Sequence, residues 1–207
     1  MPAEFFARSP VVVARALLGK VLVRRLRGVD VAAVITETEA YWGERDPGSH
    51  AHRGMTPRNA VMFGPAGRLY VYFIYGMYHC ANIVTGVDGK ASAVLLRGVH
   101  LLPPHPLHPA PRTDGPGKLC RALAIDGRLN GTPLAPPRLW LEDRGIRVPR
   151  SRVERTTRVG LSAGQELPWR FVVRDAASLL QRSTGKPPRP RGRARGPEGG
   201  WEGAKIS

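Results

Sequence analysis

The stretch RLYVYFIYGMYHCANIVT, residues 68–85, reads as two β-strands joined at a tight tip. RLYVYFIY and YHCANIVT are rich in aromatic and β-branched residues, and they meet at Tyr75-Gly76-Met77, where glycine supplies the turn. Residues two apart in a strand share a face, so Tyr70 and Tyr72 point the same way. A cross-strand aromatic core accounts for Tyr70 and for Tyr78. It fits Tyr75 poorly, because a ring at a tip beside a residue without a side chain is expected to be exposed.

The same antiparallel pattern extends outward. KVLVRRLR and VAAVITETEAY, separated by Gly28-Val29-Asp30, read as a second hairpin, and SAVLLRGVHLL, PRLWLED and PWRFVVRD supply further strands. Ser9 and Pro10 suit the N-cap and first turn of a helix that Gly19 stops. Asp114-Gly115-Pro116 opens a second helix through KLCRALAI, which Gly127 closes. The expected fold is α+β, a single domain with a mainly antiparallel sheet flanked by helices.

With 207 residues the chain can bury one sizeable core. The domain is expected to span 1–180. Residues 181–207, QRSTGKPPRPRGRARGPEGGWEGAKIS, are rich in Pro, Gly and Arg and lack apolar residues for a core, so this tail is expected to be disordered. LLPPHPLHPAPRTDGPG, residues 101–117, reads as a surface loop between patterned segments. The formal charge is +16, of which the tail supplies +5, so residues 1–180 are basic in their own right. Such a charge points to a polyanionic partner, most simply nucleic acid, although a ribosomal or membrane-surface protein would share it. Cys80 and Cys120 lack CxxC spacing, which argues against a disulfide framework or a cysteine zinc site. The N-terminus has no signal-peptide pattern and no apolar run reaches membrane-spanning length. The expectation is a cytoplasmic, nucleoid-associated protein with no membrane partner.

Against that basic background, ETEAY at 37–41 places two acids two residues apart. Regular alternation puts Ile35, Glu37, Glu39 and Tyr41 on one face. Acids on a half-buried strand are costly unless paired, hydrogen-bonded or wet, and a solvated edge with Glu–Arg pairs is the ordinary explanation. The aromatic continuation Tyr41-Trp42 weakens it, because a carboxylate beside aromatic walls can activate water while a flat substrate stacks nearby. Arg97 interrupts the apolar run SAVLLRGVH, so its guanidinium lies at an edge or inside with an acidic partner, for which Glu39 is available.

ETEAYWG, SHAHRGMTPRNAVMFGPAGRLYVYFIYGMYHCANI, AVLLRG, GPGKLCRALAI and RVGL resemble, in order, the alkyladenine (3-methyladenine) DNA glycosylase family, the mammalian N-methylpurine DNA glycosylase type. The resemblance covers most of residues 5–175. It implies a monofunctional base-excision-repair enzyme that flips alkylated or deaminated purines out of double-stranded DNA. Its substrates would be 3-methyladenine, with hypoxanthine and ethenoadenine as further candidates. It implies that Glu39 is the general base activating water against the sugar C1′, and that Arg97 and the Val159 carbonyl help hold that water. Tyr41, His50 and Tyr72 match the walls around the flipped base, and Asn82 the residue that crowds the guanine amino group. Tyr75 matches the side chain filling the gap in the duplex, flanked in the minor groove by Met77 and Tyr78. No cofactor or metal is implied, and the protein is expected to act as a monomer.

Trp42 departs from the mammalian pattern, which has an aliphatic residue there. The phosphate-contacting arginine of the following segment falls on Arg53. Three rival readings remain open. His50 and His52 with Glu37 and Glu39 could form a metal-dependent hydrolase site. Lys118 could serve a Schiff-base mechanism, although nothing in the sequence places it near Glu39. A non-enzymatic nucleic-acid-binding protein would explain the charge but not a Glu39–Arg97 pair.

Overall fold

The computed structural model describes residues 1–107 and 109–178, so His108 and the expected 181–207 tail lie outside the described residues. Two helices, α1 (Ala3–Phe6) and α2 (Pro10–Leu17), precede strands β1 (Val21–Leu26) and β2 (Val29–Tyr41). Next come β3 (Leu69–Ile74), β4 (Tyr78–Val84), β5 (Ala93–Leu101), helix α3 (Pro116–Ala122), and the short strands β6 (Leu139–Glu142), β7 (Val153–Thr156) and β8 (Arg170–Val173). All pairings are antiparallel and form one sheet of order β3-β4-β5-β2-β1-β6. The thirteen-residue β2 is shared along its free edge: β1 pairs with its first half, and β8, which carries β7, takes over at Glu37–Glu39. The α+β single-domain expectation holds.

Local chemistry explains the framing elements. The Ser9 hydroxyl caps α2 by accepting from the Val12 N–H, Pro10 occupies the first turn, and Gly19 follows at φ +83°. A Cβ on Gly19 would also lie 2.8 Å from the Ile146 carbonyl oxygen, so only glycine fits there. α3 stops earlier than its sequence suggests. Ala124 takes φ +46° and the Ile125 N–H bonds back to the Cys120 carbonyl at 2.8 Å, an αL-type close to the helix. Gly127 therefore does not close α3 but begins a short 3₁₀ turn, Gly127–Leu129. β7 was not foreseen, since VERT carries too little apolar pattern to announce a strand.

The decisive departure from strict alternation lies in β2. Its pairing with β5 runs Ile35↔Val99, Glu37↔Gly98, Thr38↔Leu96, a bulge at Thr36–Glu37. A bulge reverses which parity faces which side. Before it, Val31, Ala33 and Ile35 enter the main core with Val13 and Leu17 of α2. After it, Ala40 enters that core and the Thr38 hydroxyl donates to the Ala14 carbonyl of α2 at 2.9 Å. Ile35 therefore does not share a face with Glu39, contrary to simple alternation. The bulge turns Glu39 and Tyr41 away from the helices.

The β3-β4-β5 region obeys alternation. Leu69, Val71, Ala81, Ile83, Val94 and Leu96 pack in the main core with Leu119 and Cys120 of α3. Tyr70, Val84 and Ala93 face the other way into a smaller cluster with Ala51 and Met62.

Candidate active site

Register brings the polar residues of that second face into one row. Tyr70 lies opposite Asn82, Asn82 opposite Leu95, Leu95 opposite Glu39, and Glu39 opposite Arg170, across five strands. Above the row opens a cavity of about 440 Å³. Of the residues expected at the site, Tyr41, His50, Tyr72, Asn82, Arg97 and Val159 line it, as do Tyr75 and Tyr78. Met77 stands outside, on the exposed tip.

Glu39 is fully buried beneath this cavity, covered by residues that line it. Its Oε2 accepts the Tyr41 hydroxyl at 2.8 Å and its Oε1 the Val159 backbone N–H at 2.9 Å. Arg97 Nε lies 3.4 Å from Glu39 Oε1, but its shorter bond, 3.0 Å, goes to Glu37 Oε1. The guanidinium is inside and paired, not at an edge, and its main partner is the first glutamate rather than the second. The same Glu37 oxygen also accepts from Arg170 Nε at 2.6 Å. Burial pulls the Arg97 pKa down, yet the Glu39 and Glu37 carboxylates outweigh it and hold the group above its ordinary value. Burial, then the adjacent Glu39 charge, pushes the Tyr41 phenol far up, so it remains a donor to the carboxylate.

The aromatic side is cross-braced. The His50 ring meets the Tyr72 ring edge-on at 4.5 Å between centroids, and His50 Nδ1 lies 3.0 Å from the Tyr70 hydroxyl. Burial lifts the Tyr70 phenol to about 12 and raises Tyr72 further. Although His50 stands at the exposed rim, the packing around its ring and then the Arg58 charge lower its pKa, favouring neutral imidazole. Asn59 anchors this segment by donating to the His50 and Gly54 carbonyls. Asn82 Nδ2 donates to the Tyr70 carbonyl at 3.1 Å, which fixes the amide and leaves its oxygen as the uncommitted atom.

At the far end of the hairpin, Tyr75 (φ +55°) and Gly76 (φ +65°) form a type I′ turn closed by Met77 N–H to the Ile74 carbonyl. Phe73, Tyr75 and Met77 are 51%, 77% and 66% exposed, an apolar prow on a basic protein. Tyr78 packs against Gly117 of α3, where an added Cβ would fall within 3.0 Å of the Tyr78 side chain.

Four residues at the site carried no clear sequence signal. Arg158 and Asp46, both fully buried, form a bidentate ion pair at 2.5 and 2.7 Å. Arg158 also donates to the Ala40 and Gly164 carbonyls and lies over the Tyr41 and Trp169 rings at 4.7 and 5.3 Å. Arg170 engages Glu37, and Arg58 lies 5.7 Å over Tyr72 while donating to the Phe73 carbonyl. A metal grouping of His50 and His52 with the two glutamates does not form. His50 faces Tyr70, His52 faces the Glu44 carbonyl, and among the described residues no three His, Cys, Asp or Glu side chains converge. Lys118 borders the cavity with its ammonium held 3.3 Å from Asp114.

Comparison with known proteins places this geometry. Residues 4–177 match the family model described as Methylpurine-DNA glycosylase (MPG). A protein of Myxococcus xanthus (strain DK1622) is 48% identical over 191 residues, covering 91% of this chain and 95% of its own length. One from Rickettsia felis is 44% identical over 180 residues, covering 86% and 96%, and one from Synechococcus sp. (strain JA-3-3Ab) is 47% identical over 184 residues, covering 83% and 94%. All three carry the provisional name 3-methyladenine DNA glycosylase. No helix among the described residues is long and apolar enough to cross a membrane.

Proposed function

The chain belongs to the methylpurine-DNA glycosylase family and is a DNA glycosylase of DNA repair; from that premise we propose that it excises alkylated and deaminated purines by base flipping and hydrolysis with a Glu39-activated water. 3-Methyladenine, the base in the relatives' names, is the first substrate, with hypoxanthine and ethenoadenine as further ones. The single observation that carries the reading is the buried Glu39 carboxylate beneath an aromatic cavity, on the same hairpin sheet as an exposed tyrosine tip.

In this reading the protein binds double-stranded DNA as a monomer and Tyr75 enters the duplex where the damaged nucleotide leaves it, with Met77 and Tyr78 in the minor groove and Arg53 or Arg58 near phosphate. Unstacking costs a few kcal/mol, which the inserted ring offsets. The flipped purine stacks between Tyr41 on one side and His50 with Tyr72 on the other. Asn82 at the floor crowds an exocyclic 2-amino group and so rejects guanine.

Glu39 then removes a proton from a water held with help from Arg97 and the Val159 carbonyl. The water oxygen bonds to C1′ as the N-glycosidic bond breaks, its electron pair leaving with the purine. The carboxylate also stabilises the oxocarbenium-like sugar. An N3- or N7-alkylated purine departs as a neutral base, whereas hypoxanthine needs a proton. No cofactor or metal enters these steps, and the product is an intact abasic strand.

The test is Glu39→Gln. It should retain lesion binding and lose about 10³-fold or more in single-turnover excision of 3-methyladenine, because water activation and cation stabilisation go together. Near-native excision by this variant, activity abolished by a chelator, or a borohydride-trapped covalent complex would refute the mechanism.

A further inference from the structure

The site contains a second acid to which the proposed reaction gives no role. Arg170 on β8, Glu37 on β2, Arg97 on β5 and Glu39 on β2 form a chain of alternating charge running inward. Side-chain exposure falls along it from 25% through 16% and 15% to 0%. The links are 2.6 Å from Arg170 to Glu37, 3.0 Å from Glu37 to Arg97, and 3.4 Å from Arg97 to Glu39. The backbone is shaped around Glu37. It sits at the β2 bulge opposite Gly98, where an added Cβ would lie 3.1 Å from Glu37 Cβ and 3.4 Å from its Oε2.

Resting on Glu39 as the base, we infer that Glu37 is a positioning residue that holds the Arg97 guanidinium off Glu39. Arg97 Nε is committed to Glu37, so it approaches Glu39 without forming the short, direct pair that its charge favours. Without the Glu37 charge, Glu39 is the nearest remaining anion for Arg97, and the pair closes. A carboxylate so engaged is a weaker base and has lost an acceptor site for water. Arg170 in turn donates to the same Glu37 oxygen that accepts from Arg97, which keeps Glu37 in place.

Because the effect runs through Arg97, it predicts coupling rather than general damage, and a double-mutant cycle reads it. Single-turnover excision and lesion-duplex affinity are measured for the full chain as wild type, Glu37→Gln, Arg97→Met and the double variant. Glu37→Gln should slow excision about ten- to a hundredfold when Arg97 is present and by less than about threefold when residue 97 is Met, with affinity unchanged in both backgrounds. Equal losses in the two backgrounds, or no loss with Arg97 present, would overturn the inference. If Glu37→Gln does not fold, Gly98→Ala displaces the same carboxylate without changing its charge, and its loss should likewise vanish with Arg97→Met. Glu39→Gln run alongside separates the two ideas. An active Glu39→Gln removes the premise, whereas an inactive Glu39→Gln with an additive cycle removes only the role of Glu37.

Discussion

Asp46→Asn should be among the most damaging single-atom changes available to this fold. Asp46 and Arg158 are both fully enclosed, with nitrogen–oxygen distances of 2.5 and 2.7 Å. Asp46 also accepts from the Trp42 and Gly48 backbone N–H groups. Losing one member of a buried pair leaves the other charge without compensation and costs about 3–5 kcal/mol. In a domain of this size each kcal/mol is worth about 2–4 °C, so the melting midpoint should fall by about 6–20 °C. The double variant Asp46→Asn/Arg158→Met removes both charges and should recover most of that loss, since uncharged packing replaces such pairs at little cost. Excision should not recover with it. Arg158 ties together the Ala40 and Gly164 carbonyls, lies against Tyr41, and immediately precedes Val159, whose N–H reaches Glu39. Thermal unfolding followed by circular dichroism, beside single-turnover excision, checks both halves. A shift below about 2 °C for Asp46→Asn, or a double variant as unstable as the single, would refute the reasoning.

The tip and floor of the site should fail differently. Tyr75→Asn relieves a left-handed tyrosine, worth about 1 kcal/mol, so it should raise the melting midpoint while slowing excision of well-paired lesions most and unpaired ones least. Asn82→Ser should leave flipping intact and raise release of guanine-derived bases, measured by single-turnover assays on guanine-containing duplexes. Gly117→Ala drives a methyl into Tyr78 and should cost about 1–3 kcal/mol, with weaker binding to lesion duplex in titrations. Binding to undamaged duplex should fall steeply with salt, and deleting 181–207, which carries +5, should flatten that dependence without altering single-turnover rates.

Hairpins and their tip were legible because their signals are local: β-branched and aromatic runs, a glycine at Tyr75-Gly76, a serine–proline helix start. The α3 terminus was misjudged because Ala124 adopts a conformation that sequence normally assigns to glycine. The Asp46–Arg158 pair was invisible for a different reason. Its members lie 112 residues apart, and each reads alone as an ordinary polar loop residue. Arg158 is the first residue of RVGL, but the resemblance gives a role there only to its neighbour Val159. Arg58 and Arg170 were lost among a large number of arginines in a chain where basic residues are background.

The two acids of ETEAY show where local reading ends. Alternation placed Glu37 and Glu39 together but also placed Ile35 with them, which would have demanded one face both apolar and charged. The bulge resolves the conflict. By breaking the alternation between Ile35 and Thr38, with a matching irregularity in β5 between Val99 and Leu96, it lets β2 pack α2 with odd-numbered residues in its first half and with even-numbered ones in its second. Both acids are then free to face arginines instead of core, Glu37 meeting Arg97 and Arg170 and Glu39 meeting Arg97 from below. If β2 alternated strictly through Thr36 and Glu37, one half of the strand would be turned inside out. Either Ile35 would leave the core or Glu39 would enter it, and burying an unpaired carboxylate there is the costlier outcome. In this chain the position of the acid depends on an irregularity that no periodic pattern encodes.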